Sequence, residues 1–187
     1  IAQIAFEFLS ILFAVLLALG LNSLKESIDS DNEANTLKVS ILKECAENQL
    51  KVDSLLINNQ DYFNYLDSLI RLDPDDIESI PFQYNLELLT NAAWVIAQNN
   101  SSINNLDQDF LVSVAEIYQS QEFFTEFSRS FFENFGSYLS QQDDVTPHTM
   151  AISLYFNLNV MNGTARSLQE EYRNLLTKHP VETPTIN

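Results

Sequence analysis

Two histidines, one cysteine and several acidic clusters are the side chains of this 187-residue chain best suited to carry chemistry. A zinc centre would need His, Cys, Asp or Glu at ligand spacing. His148 and His179 lie far apart, Cys45 is alone, and no His-Glu-x-x-His or Cys-x-x-Cys run occurs. Nucleophilic catalysis or phosphate binding would announce itself as Gly-x-Ser-x-Gly or a Walker loop, and neither is present. Asp29, Asp31 and Glu33 alternate as calcium-loop ligands do but lack the Gly of the EF-hand turn, so they are expected on a solvated stalk. Asp73-Pro74-Asp75-Asp76 is a hydrated turn, and Glu170-Glu171 a solvated helix face. Cys45, set among apolar helix positions, is expected as a buried free thiol. The expectation is a non-enzyme with no metal and no cofactor.

Glu7 differs, because it interrupts the apolar run IAQIAFEFLSILFAVLLALGL of residues 1–21. At 100° per residue, Glu7, Ser10, Ala14, Ala18 and Asn22 fall within about 60° of one helix line, opposite Leu9, Leu12, Phe13 and Leu16. A small-and-polar stripe backed by a greasy face suits a transmembrane helix that docks on another helix. Twenty-one residues span about 31 Å, close to a hydrocarbon core of about 30 Å. A carboxylate in that setting costs about 2.5–3.5 kcal/mol near the bilayer centre, relieved by snorkelling, protonation or pairing. Residues 8–17 also resemble a signal h-region, with Ala18-Leu19-Gly20 like a cleavage site, but retention as an anchor is the favoured reading. Lys25 is the nearest cation on the C-terminal side, so a basic N-terminal flank and an outward, periplasmic C-terminal domain are expected.

Twenty-six acidic against nine basic residues, net −17, leave no basic patch for phosphates and argue against nucleic-acid binding. An anionic membrane surface would repel the domain as well. Only three glycines and five prolines argue against turn-rich β folds.

The elements that must position these residues are helical. Residues 23–36 are polar, a stalk. From Leu37 through Leu56, and again from Tyr62 to Ile70 after Asn58-Asn59-Gln60, apolar residues recur at three- and four-residue steps. Residues 77–84 are irregular, and Asn85 is placed to cap a helix over 86–98 with Leu86, Leu88, Val95 and Ile96 mostly buried. Asp107 is placed to cap the next helix, expected to be the longest, with an aromatic ladder from Phe110 to Phe135 as core and an end near Gly136. Thr146-Pro147 opens a final helix to about residue 178, and the tail 179–187, with Pro180 and Pro184, is expected to dock in extended form.

Glu7, Ala14, Ala18, Leu19, Asn22 and Glu26 together resemble the opening of a widespread family of bacterial single-pass membrane proteins of unknown function. That family often carries Trp two residues after the Asn, where this chain has Leu24. Ala93-Trp94 with Ala97, Leu106-Asp107, Tyr118 and Gln121 resemble a mid-domain pattern in the same proteins. The resemblance implies a cytoplasmic-membrane protein with a helical extramembrane domain, and it implies no activity.

The combined expectation is an all-α protein. It has a transmembrane helix over 1–22, a stalk over 23–36, a bundle of about four or five helices over 37–178, and a tail over 179–187. The function expected is a non-catalytic accessory or scaffolding subunit of a bacterial membrane assembly. It would meet the bilayer and other membrane subunits, or a second copy, through Glu7, Ser10, Ala14, Ala18 and Asn22, with Pro180 and Pro184 as tail contacts. The alternative is a membrane-anchored helical sensor or ligand-binding domain.

Overall fold

The computed structural model describes the backbone of residues 2–141 and 146–180, and side chains within 12–136 and 146–180. Among the described residues there is no strand. Four α-helices carry the fold: α1 (Ala2–Leu69), α2 (Ala92–Gln98), α3 (Gln108–Gln141) and α4 (Pro147–Lys178), with 3-10 turns at Pro74–Asp76 and Ser101–Asn105. The all-helical expectation holds, with fewer and longer helices than anticipated. Among the described residues no helix is long and apolar enough to cross a membrane. Of the expected 1–22 span, residues 1–11 lie outside the described side chains.

The bundle follows from three interlocking seams. On α4 the buried residues Ala151, Leu154, Leu158, Met161, Ala165, Leu168, Tyr172 and Leu175 alternate by three and four residues, a heptad pattern. On α3 the same alternation runs through Phe110, Val114, Ile117, Gln121, Phe124, Ser128, Phe131 and Phe135. On α1 it runs Ala34, Leu37, Ile41, Cys45, Asn48, Val52, Leu55, Asn59, Tyr62, Leu66 and Leu69. Two consecutive four-residue steps, Leu37 to Ile41 to Cys45, interrupt the α1 pattern; such a stutter locally unwinds the supercoil and turns both Glu44 and Cys45 inward.

Residues 37–55 of α1 share one core with Phe110–Phe124 of α3 and Ala165–Leu175 of α4. Residues 62–69 share the other with Phe131, Phe135 and residues 151–161. Thus α3 runs parallel to α1 and α4 antiparallel to both. The parallel pair is possible because residues 70–107 return along α1. Asn59 meets Asn85, Lys51 meets Leu88, Asn48 meets Thr90, Glu44 meets Ala93, and Glu33 meets Asn100 and Ser102. From Asn48 to Asn59 a helix rises about 16.5 Å, and five extended residues from Asn85 to Thr90 cover about the same length. The two asparagines differ by about 20° beyond three whole turns, so they share a face.

Several boundaries differ from expectation. Asn58-Asn59-Gln60 does not break α1, because Asn59 turns inward to hold Asn85. The helix expected over 86–98 begins only at Ala92, since Lys51 and Asn48 hold residues 88–90 extended; Leu88 is 74% and Ile96 63% exposed. α3 passes Gly136 with no left-handed residue and reaches Gln141, and α1, with 68 residues, is the longest helix. The stalk is solvated only to Asp29; from Ser30 it is engaged by the Ser101–Asn105 turn. The caps at Asp107 and Thr146 form as expected, accepting from the amides of Phe110 and Thr149.

Candidate functional site

Two features stand out, an apolar shaft and a buried polar junction. Every residue from 12 to 29 on α1 is exposed around the full circumference, so the helix leaves the bundle as a bare rod. Its apolar side chains include Phe13 at 66%, Leu16 at 59% and Leu19 at 61% exposed. Ala14, Ala18 and Asn22 of the anticipated stripe lie exposed on this rod, with no other described element against them. The Asn22 amide donates to Glu26 Oε1 at 2.7 Å, closing an i,i+4 pair. The side chains of Glu7 and Ser10 lie outside the described residues. Pro180 is exposed directly after α4, and Pro184 falls outside the described residues.

The polar junction occupies the first core. Glu44 accepts from the Tyr118 hydroxyl and from the Ala93 amide at 3.0 Å, and so caps α2 from a different helix. Asn48 Oδ1 accepts from the Thr90 amide at 3.0 Å, while its Nδ2 donates to Thr90 O at 2.7 Å and to Gln121 Oε1 at 3.1 Å. Gln121 Nε2 donates to Thr90 O at 3.0 Å, and the Tyr172 hydroxyl donates to Gln121 Oε1. The Trp94 ring stacks on Tyr118 at 5.6 Å with planes 4° apart. Burial, then Cys45 and Glu44, push the Tyr118 hydroxyl well above its ordinary range, so it stays a donor. Burial lifts the Cys45 thiol to about 12, which makes it inert as a nucleophile. This is a satisfied network, with donors matched to acceptors, and on one side Tyr118 and Gln121 line a groove between α2 and α3. Among the described residues no group of three His, Cys, Asp or Glu side chains is placed to hold a metal ion.

His148 is half-buried in the first turn of α4. His179 sits at the opposite end, its ring edge-on to Phe110 at 5.1 Å, with Lys38 Nζ 5.0 Å over the same ring. Burial, then Lys38 and Lys178, lower the His179 pKa, against Asp107 which raises it. The acidic clusters are capping groups and helix faces: Asp73 accepts from the Asp75 amide, and Glu170 pairs with Arg173. Glu33 is held below the usual carboxylate range by hydrogen bonds from Asn100 and then Ser102.

The mid-domain residues Ala93, Trp94, Ala97, Tyr118 and Gln121 therefore meet in or beside one junction, while Asp107 stands apart as the cap of α3. The junction's α1 members, Glu44 and Asn48, are not singled out by the sequence alone, nor is Asn59, which holds Asn85 farther along α1. Their signal was present as polar residues at or beside the heptad core of α1. Comparison with protein-family models, curated proteins and solved structures finds no match to this chain.

Proposed function

We propose that this protein is a non-catalytic accessory or scaffolding subunit of a bacterial membrane assembly. The observation that carries the reading is the bare apolar rod of α1 running continuously into a well-packed bundle. Residues 12–21 alone expose seven large apolar side chains. At about 1.5–3 kcal/mol for each such side chain removed from water, the drive to cover them is on the order of 10 kcal/mol. Lipid on one face and a partner helix on the Ala14, Ala18 and Asn22 face meet that demand, with residues 1–22 as a single-pass anchor. The scarcity of cations just beyond the anchor, where Lys25 is the only Lys or Arg before Lys38, favours a periplasmic bundle. The resemblance to single-pass bacterial membrane proteins supports the same arrangement.

The satisfied polar junction supports a structural role. Its groups are spent on holding the returning segment, residues 70–107, in register through Thr90 and Ala93. A second reading, a membrane-anchored ligand-binding domain, draws support from one groove of about 480 Å³ between α2 and α3, lined by Trp94, Tyr118 and Arg129. Mild-detergent purification separates the two. The scaffold reading expects stoichiometric partner chains whose recovery falls when Ala14 and Ala18 are both replaced by Leu. An isolated monomer whose rod faces only lipid refutes it.

A further inference from the structure

The outward seam between α3 and α4 is uncovered along most of its length. α2, the Ser101–Asn105 turn and the crossover close the bundle near α1, and nothing among the described residues closes this side. Three hollows of about 390, 380 and 270 Å³ follow one another along the seam. From Ser113 to Asn134 they extend about 31 Å, the length of a helix of about twenty residues. Ser120, Thr164 and Ser167 keep the floor shallow enough for a backbone to approach, while Phe123 stands on the rim, 56% exposed.

The charge in this seam is unbalanced. Glu116 and Glu171 line the first two hollows from opposite helices. Glu171 Oε2 is buried without a hydrogen-bond partner, and its other oxygen receives only a 3.4 Å contact from Ser167. Lys178 lines one end of the seam but pairs with neither carboxylate. A buried acceptor left open is a demand for a donor. A second copy, itself net −17, brings more carboxylate than cation.

We propose that the α3/α4 seam receives an amphipathic helix of a partner protein, presenting small or apolar residues to the floor and Arg or Lys to Glu171 and Glu116. This surface is separate from the α1 rod, so its test stands whether or not the rod enters a bilayer. The probe is a fluorescent twenty-residue helical peptide with an Ala/Leu seam and two Arg one turn apart, titrated by anisotropy against the full chain in detergent micelles. The E116Q/E171Q double variant is expected to weaken binding by about tenfold or more, and Phe123→Ser to weaken it too. Glu170→Gln, whose carboxylate already pairs with Arg173, should change it by less than about twofold. Equal losses for Glu170→Gln and E116Q/E171Q overturn the proposal, as does equal binding of the same peptide with Glu in place of Arg. A dimer in sedimentation that Phe123→Ser converts to monomer also overturns it, in favour of a second copy.

Discussion

Replacing Asn48 by Leu restores an apolar residue to the α1 seam and cuts the crossover loose, and the two effects separate cleanly. Asn48 is fully buried, and its side chain supplies three hydrogen bonds to Thr90: from the amide at 3.0 Å, from Oγ1 at 3.3 Å, and to the carbonyl at 2.7 Å. Thr90 O keeps its bond from Gln121, but the Thr90 amide loses its acceptor. Two lost backbone contacts at about 1 kcal/mol each lower the local opening free energy of the crossover by about 2 kcal/mol. That is about thirtyfold faster amide exchange. Leu at a fully buried position regains about 1.5–3 kcal/mol of transfer free energy, so global stability changes by no more than about 1 kcal/mol. Hydrogen exchange by mass spectrometry reads both quantities. Peptides covering residues 87–93 should exchange about thirtyfold faster, with α4 peptides around Leu168 unchanged. Unchanged protection at 87–93, or loss spread evenly over α1, α3 and α4, refutes the assignment of Asn48 as the residue that holds the crossover.

Tyr118→Phe leaves the Glu44 carboxylate with the Ala93 amide alone, and urea unfolding should show a loss of about 2–4 kcal/mol. Adding Glu44→Gln should recover part of it; strict additivity would show that the two groups do not interact. Because Cys45 is buried with its thiol raised to about 12, a disulfide reagent at pH 8 should modify it only at the rate of bundle opening. Prompt stoichiometric labelling would place Cys45 at the surface. His179 has its pKa lowered below the ordinary 6.5, so the folded state disfavours its proton. The contribution of its docking to stability is therefore complete above about pH 6.5 and lost as pH falls through the folded value. Local opening of the last α4 turn should increase on acidification, an increase that His179→Phe removes; the same increase in the variant would assign it elsewhere.

Helical character, the caps at Asp107 and Thr146, and the extent of α4 were all legible because each depends on local chemistry. Asp107 precedes a periodic run by three residues, and Pro147 fixes a first-turn φ. The continuity of α1 was hidden because Asn58, Asn59 and Gln60 look like a loop when the partner of Asn59 is twenty-six residues away. The same non-local pairing misplaced the start of α2, since Leu86 to Thr90 have helical spacing but are held extended by Asn48 and Lys51. The heptads are masked for a related reason: Asn48, Asn59, Gln121 and Ser128 occupy core positions that an apolar count passes over. The junction itself was half visible, through the residues from Ala93 to Gln121, and its α1 side was not. Glu171 looked like part of a solvated face; the seam around it forms only once α3 lies antiparallel to α4.

The proposed function requires that the bare rod of α1 lie in a bilayer and pass into water near Asn22. Nitroxides placed singly at residues 12–28 of the full chain in phosphatidylcholine vesicles test it directly, with Cys45 left in place because it is buried and unreactive. Accessibility to oxygen should dominate from Leu12 to Leu21, dip at Ala14 and Ala18 when partner chains are present, and give way to a water-soluble nickel reagent from Ser23 onward. Uniform access of the nickel reagent along Leu12 to Leu21 would place the rod in water and refute the anchor.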